Sequence, residues 1–118
     1  MKIVITTKNG EGLDAELDPR FGRCEAFLVV DSDSGKVVES VPNQERNAAH
    51  GAGIGATAKV AELGAEAVIS GRFGPKAASG LKAKGIKMLT APEGKTAREV
   101  LEMFKAGDLQ EQVLREYR

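Results

Sequence analysis

The one histidine of this 118-residue chain, His50, stands directly before the alternating glycines Gly51, Gly53 and Gly55 in the stretch NAAHGAGIGATA. Neutral imidazole ligates transition metals and imidazolium pairs with anions, so the position suits either a weak metal ligand or an anion contact. Glycine puts no Cβ in the way, and the first N–H groups of a helix lack partners inside it. Gly51 and Gly53 can therefore open bare backbone to an incoming anion. Close helix packing or an unusual cap accounts for the same glycines equally well, and a lone histidine without partners at metal-ligand spacing is weak on its own. A dinucleotide fingerprint is not met, because GAGIGA lacks the G-x-G-x-x-G spacing and follows a polar loop.

The one cysteine, Cys24, lies between Arg23 and Glu25. A thiolate favoured by Arg20 and Arg23 would be a soft metal ligand, whereas a small buried thiol is the structural alternative. Arg20, Arg23 and Arg72 can form a positive rim, set against the plainer reading of three solvated arginines. The triplet Arg-Phe-Gly occurs twice, in RFGR and in GRFG, and the second copy ends in Gly74 at a Gly-Pro helix start, a further candidate contact for the same ligand. Such an echo is short enough to arise by chance.

Three loops carry these residues: 10–25, PNQERNAAHGAGIG and SGRFGPKA. They must be positioned by elements that the sequence also signals. Strands are expected at Lys2 to Thr7, Ala26 to Asp31 and Lys36 to Val41, the last two joined by a tight hairpin at Asp33, Ser34 and Gly35. A helix follows in GAGIGATAKVAELG, with Ile54, Ala58 and Ala61 on one face and a stop at Gly64. EAVISG and IKMLT read as buried strands. GPKAASGLKAKG reads as a helix with Pro75 in its first turn and Gly85 just past its end. TAREVLEMFKAG has Thr96 and Glu99 at capping-box spacing, Ala97, Val100, Leu101 and Phe104 on one face, and Gly107 as its stop.

Helical crossovers impose parallel pairing and the hairpin imposes an antiparallel strand. The order β-β-β-α-β-α-β-α is thus similar to a ribonuclease H-like three-layer α/β/α architecture: a mixed five-stranded sheet, order 3-2-1-4-5, strand 2 antiparallel. One domain over 1–109 is expected. The remainder, in DLQEQVLREYR, carries Leu109, Val113 and Tyr117 at helical spacing, a short helix or a frayed tail.

Lysine plus arginine equals aspartate plus glutamate, 17 each, so no uniform field recommends nucleic acid or an anionic membrane as partner. MKIVITTKNG is a strand and not a secretion signal or a membrane span, and a single cysteine suits a reducing compartment; a cytoplasmic protein is expected. Two-metal nuclease chemistry, which this architecture can host, needs clustered carboxylates. KIVITTK has none at its centre, and Asp14, Asp18 and Asp31 are scattered, so no enzyme is expected.

DPRFGRCEAFLVVD, followed by NAAHGAGIGATAKVAELGAEAVISGRFGPKAASGLKAKGIKM, resembles the dinitrogenase iron-molybdenum cofactor biosynthesis family, the NifX-type accessory domains also found at the end of NifB-type proteins. The likeness runs from Met1 to Leu109. It implies transient binding of iron-sulfur or iron-molybdenum cluster precursors, with donor and acceptor proteins as partners and a monomer or weak homodimer as the working form. His50 matches the family's histidine before the glycine-rich helix, whereas the Cys24 position often carries another residue. The resemblance places a negatively charged cluster against Arg20, Arg23, Arg72 and the glycine-rich helix start, with His50 or Cys24 bonding an iron. A non-catalytic anion-binding or protein-interaction domain is the competing reading.

Overall fold

The structure, a computed structural model, describes residues 1–112. Strands β1 (Lys2–Thr7), β2 (Ala26–Asp31) and β3 (Lys36–Pro42) come first, followed by α1 (Ala52–Glu62), β4 (Ala67–Ser70), α2 (Pro75–Ala83), β5 (Lys87–Thr90), α3 (Ala97–Ala106) and β6 (Gln110–Glu111). The sheet order is β3-β2-β1-β4-β5-β6. β1 pairs antiparallel with β2 and parallel with β4, β4 pairs parallel with β5, and β2 with β3 form the hairpin. The strands expected from β-branched runs and the relative order of the first five are all present.

The sheet nevertheless has six strands, not five. Gln110 and Glu111, expected in a helix or a frayed tail, pair antiparallel with Thr90 and Leu89, and the Gln112 amide donates to the Met88 carbonyl at 2.9 Å. An open β5 edge offers unpaired backbone groups, and a short polar strand covers them at little cost. Leu109 packs against the core beneath α3. Val113 and Tyr117 lie outside the described residues.

Each face of the sheet buries its own core. Val4, Phe27, Val29, Val68 and Met88 meet Ala56, Val60, Ala77, Ala78 and Leu81 of α1 and α2. Ile3, Ile5, Leu28, Val30 and Ile69 meet Ala97, Val100 and Leu101 of α3 on the other side. Burial on both faces is why β1, β2 and β4 are apolar without alternation. α3 matches its sequence signals, with the Thr96–Glu99 capping box formed and Gly107 left-handed at φ 76°.

α1 departs from expectation in its facing. Its buried residues are Ala52, Ala56, Thr57 and Val60, whereas Ile54 is 58% exposed and Ala58 is exposed. The stripe through Ile54 followed the most apolar side chain. Packing instead chose the small residues, because α1 lies close against α2: a Cβ on Gly80 would stand 3.1 Å from Thr57 Cγ2, and one on Gly53 3.3 Å from Ala77 Cβ. Among the described residues no helix is long and apolar enough to cross a membrane.

Candidate functional site

At the carboxyl ends of β1 and β4 a buried hydroxyl network ties the first loop to the sheet. Thr6 Oγ1 donates to the Asp18 carbonyl at 2.7 Å and shares a hydrogen bond with Ser70 Oγ at 2.8 Å. The next residues bind the first loop to the third. The Arg72 amide donates to the Pro19 carbonyl at 2.8 Å and the Phe21 amide to the Arg72 carbonyl at 3.3 Å, a short parallel bridge between Arg20 and Arg72. The repeated Arg-Phe-Gly therefore has a structural basis: the two triplets lie side by side. Phe21 and Phe73 turn inward with ring centroids 5.2 Å apart, and Gly22 and Gly74 emerge together beyond them.

These two glycines border the starts of α1 and α2. Gly22 has to be glycine, since a Cβ there would stand 2.9 Å from the Gly53 nitrogen and 3.0 Å from its Cα, both backbone atoms. Gly51 caps α1 with φ 81°, a left-handed value that side-chain-bearing residues resist. Neither helix start has a side-chain cap. The first bonded amides are Gly55, donating to Gly51, and Ala78, donating to Gly74. The N–H groups of Ala52, Gly53, Ile54, Lys76 and Ala77 thus have no partner inside their helices, and the positive ends of two helix dipoles meet in one place.

The meeting place is an open cleft of about 460 Å³. Its walls are the two helix starts, the Gly22–Arg23 turn, and the loop end formed by Ala49 and His50. Arg23 contributes a guanidinium whose Nη1 donates to the carbonyls of Arg46 and Ala48 at 2.9 and 2.8 Å. Lys76 adds a second cation and Ile54 an exposed apolar side chain.

Of the residues expected to bind, His50, Gly51, Gly53, Arg23 and Gly74 line the cleft together. Arg20 and Arg72 do not. Arg20 is taken up by the buried Asp18 carboxylate, its Nε 3.3 Å from Oδ1, and its pKa is raised first by that hydrogen bond and then by the same charge. Arg72 is exposed outside the lining. Cys24 is in the core at 0% exposure, and desolvation pushes its thiol up to about 12. Asp18 raises it further, while the Asn43 amide and Arg46 oppose only in part. Of the two readings of Cys24, the small core thiol fits and the thiolate activated by Arg20 and Arg23 as a metal ligand does not: burial wins, and Cys24 is not among the residues that line the cleft. Among the described residues no three histidine, cysteine, aspartate or glutamate side chains could jointly hold a metal ion. Lys76 and Ile54 were not foreseen; position 76, just after a Gly-Pro helix start, was the available signal for the lysine.

A family model described as dinitrogenase iron-molybdenum cofactor matches residues 1–107. The chain belongs to that family. A relative from Methanocaldococcus jannaschii, an uncharacterized protein, is 34% identical over 112 residues, 93% of this chain and 90% of the relative. The apo form of the orange protein from Desulfovibrio gigas superimposes with a TM-score of 0.88 at 38% identity, covering 94% of this chain and 92% of that one. An NMR structure of a Thermotoga protein proposed to be a NifB protein gives 0.80 at 30% identity, covering 98% of both chains. The family's description points to the handling of an iron-molybdenum cofactor. In this member the cleft offers one imidazole, two cations and amides that have no partner within their helices, a set that attracts an anion strongly and ligates a metal sparsely.

Proposed function

We propose that the protein is a small carrier that transiently holds an iron-sulfur or iron-molybdenum type cluster in the cleft between α1 and α2. The observation that carries the reading is the convergence of two uncapped helix starts with Arg23, Lys76 and His50 around one opening. Each helix start is worth roughly half a positive charge, so with the two side chains the cleft presents about three positive charges to an anionic cargo. His50 supplies the one candidate bond to a metal, and Cys24 takes no part. Sparse ligation suits transfer: a cargo bound mainly by charge and backbone amides can leave for an acceptor without several metal bonds breaking. Donor and acceptor proteins in the cytoplasm would be the partners, with the chain acting as a monomer or weak homodimer.

We assign the ribonuclease H-like label to the architecture without its nuclease chemistry. Asp31 lies opposite Lys2 at the far end of β1 from the cleft, 3.8 Å from the chain's amino group, and Asp18 is engaged by Arg20.

The test is anaerobic reconstitution with iron and sulfide, or with an extracted cofactor precursor, followed by gel filtration and metal analysis. Retained metal that falls in His50→Ala and in Lys76→Glu at equal folded fraction supports the carrier. Retention no greater than that of an unrelated histidine-bearing protein refutes it and leaves the anion-binding or protein-interaction reading.

A further inference from the structure

His50 ends a loop that the side chains of Asn43 and Arg23 tie to the first loop. At its start, buried Asn43 donates from Nδ2 to the carbonyls of Gly22 and Cys24 at 3.1 and 3.0 Å, and its own amide donates to the Glu25 carbonyl at 2.9 Å. At its end, Gly51 takes the left-handed turn into α1. Between these fixed points residues 44–50 form no strand or helix, and among the described residues few bonds hold them: Glu45 N to Asn43 Oδ1, Arg46 N to the Asn43 carbonyl, Ala48 N to the Glu45 carbonyl, a half-exposed Arg46–Glu25 ion pair at 3.5 Å, and the Arg23 guanidinium across the gap. Arg23 is also a wall of the cleft.

We propose that Arg23 is a clasp that couples the loop bearing His50 to occupancy of the cleft. A guanidinium carries five N–H groups in a rigid fork, and its Nη1 bonds both loop carbonyls. Nε and Nη2 remain to face an anion in the cleft. Cargo fixes the guanidinium, the fixed guanidinium holds the loop, and the held loop keeps His50 at the cleft wall, so cargo binding and loop closure support each other. Asn43 and Gly51 are the hinge ends. Arg23 is a positioning residue for His50 as well as a source of charge, and the coupling rests on the carrier reading given above.

Hydrogen–deuterium exchange of the Arg46 and Ala48 amides tests both halves. In the cargo-free protein, Arg23→Met should speed exchange there at least about tenfold, since the loop loses its charged tether at the Arg46 and Ala48 carbonyls and the turn bonds of these amides to Asn43 and Glu45 open more often, with β1 and β4 amides unchanged. Arg23→Lys, which keeps the charge without the fork, should speed it similarly. Unchanged exchange in Arg23→Met, or parent-like exchange in Arg23→Lys, overturns the clasp. In the parent loaded anaerobically with iron and sulfide, the same amides should slow at least about tenfold, and the slowing should be absent from loaded Arg23→Lys. A parent that retains its cluster by metal analysis while the loop exchanges as before overturns the coupling and leaves the carrier standing. A parent that retains no cluster sinks carrier and coupling together, while the cargo-free comparison still decides the clasp.

Discussion

Cys24 should behave as a locked core thiol, and the consequence is measurable without any cluster. Its pKa is pushed from 9.0 to about 12 by burial. At pH 8 the thiolate fraction is then about one in ten thousand folded and about one in ten unfolded, a roughly thousandfold disadvantage for the native chain. A more basic thiolate is a better nucleophile by a Brønsted slope of about 0.45, which returns roughly twentyfold. Chemistry alone therefore slows the folded protein about fiftyfold in exchange with an aromatic disulfide, and lack of access slows it further. The same gap bears on stability. The folded pKa is the higher one, so the contribution is complete below pH 9 and is lost as pH rises from 9 towards 12. Over that window stability should fall by up to about 1.4 kcal/mol per pH unit, of order 4 kcal/mol in all. Absorbance-monitored exchange in buffer and in urea gives the first quantity. Urea midpoints of the parent and Cys24→Ala against pH give the second, the parent losing stability relative to the variant. A native rate within about tenfold of the unfolded rate, or parallel pH curves, would show the thiol to be accessible and return it to the list of ligands.

Gly22→Ala should cost about 1–3 kcal/mol, because the clash is with α1 backbone that cannot rotate away, and lower the melting temperature by about 4–12 °C; an unchanged melt would mean that the turn and α1 separate easily. Truncation after Gly107 removes Leu109 and β6, so a fall of at least about 4 °C is expected, and a melt within about 1 °C of the parent would show β6 to be dispensable. Cluster retention should weaken with rising salt in the parent and less steeply in Lys76→Glu, whereas Lys105→Glu, an equal charge change on the exposed end of α3 across the sheet, should track the parent; equal effects of the two variants would argue for a diffuse field instead of a defined cleft.

The elements were largely legible because each carries its own local signal. The Thr96–Glu99 box, Pro75 in the first turn of α2 and the hairpin glycine are short-range chemistry, and the apolar strands follow from a sheet covered on both sides. Two features depended on distant partners and were hidden. The facing of α1 was set by α2, which selected small residues over Ile54. β6 formed because the β5 edge stood open. For Cys24 the sequence offered both an activated thiolate and a small core thiol, and burial selected the second, since Arg20 found Asp18 instead. At the site, His50 and the glycines were visible as types and spacing, while Lys76 joined them only through the second helix start, and the two Arg-Phe-Gly triplets gained meaning only once β1 and β4 lay side by side.

The central claim is that cargo sits at the paired helix starts, and an anaerobic titration followed by amide NMR reads this most directly. Isotope-labelled protein receiving an extracted iron-molybdenum cofactor precursor should show shifted or broadened signals first at Ala52, Gly53, Ile54, Lys76 and Ala77, with His50 moving alongside and β3 and the exposed face of α3 unaffected. Signals that move first around Cys24, or across the surface without preference, or not at all, would contradict it.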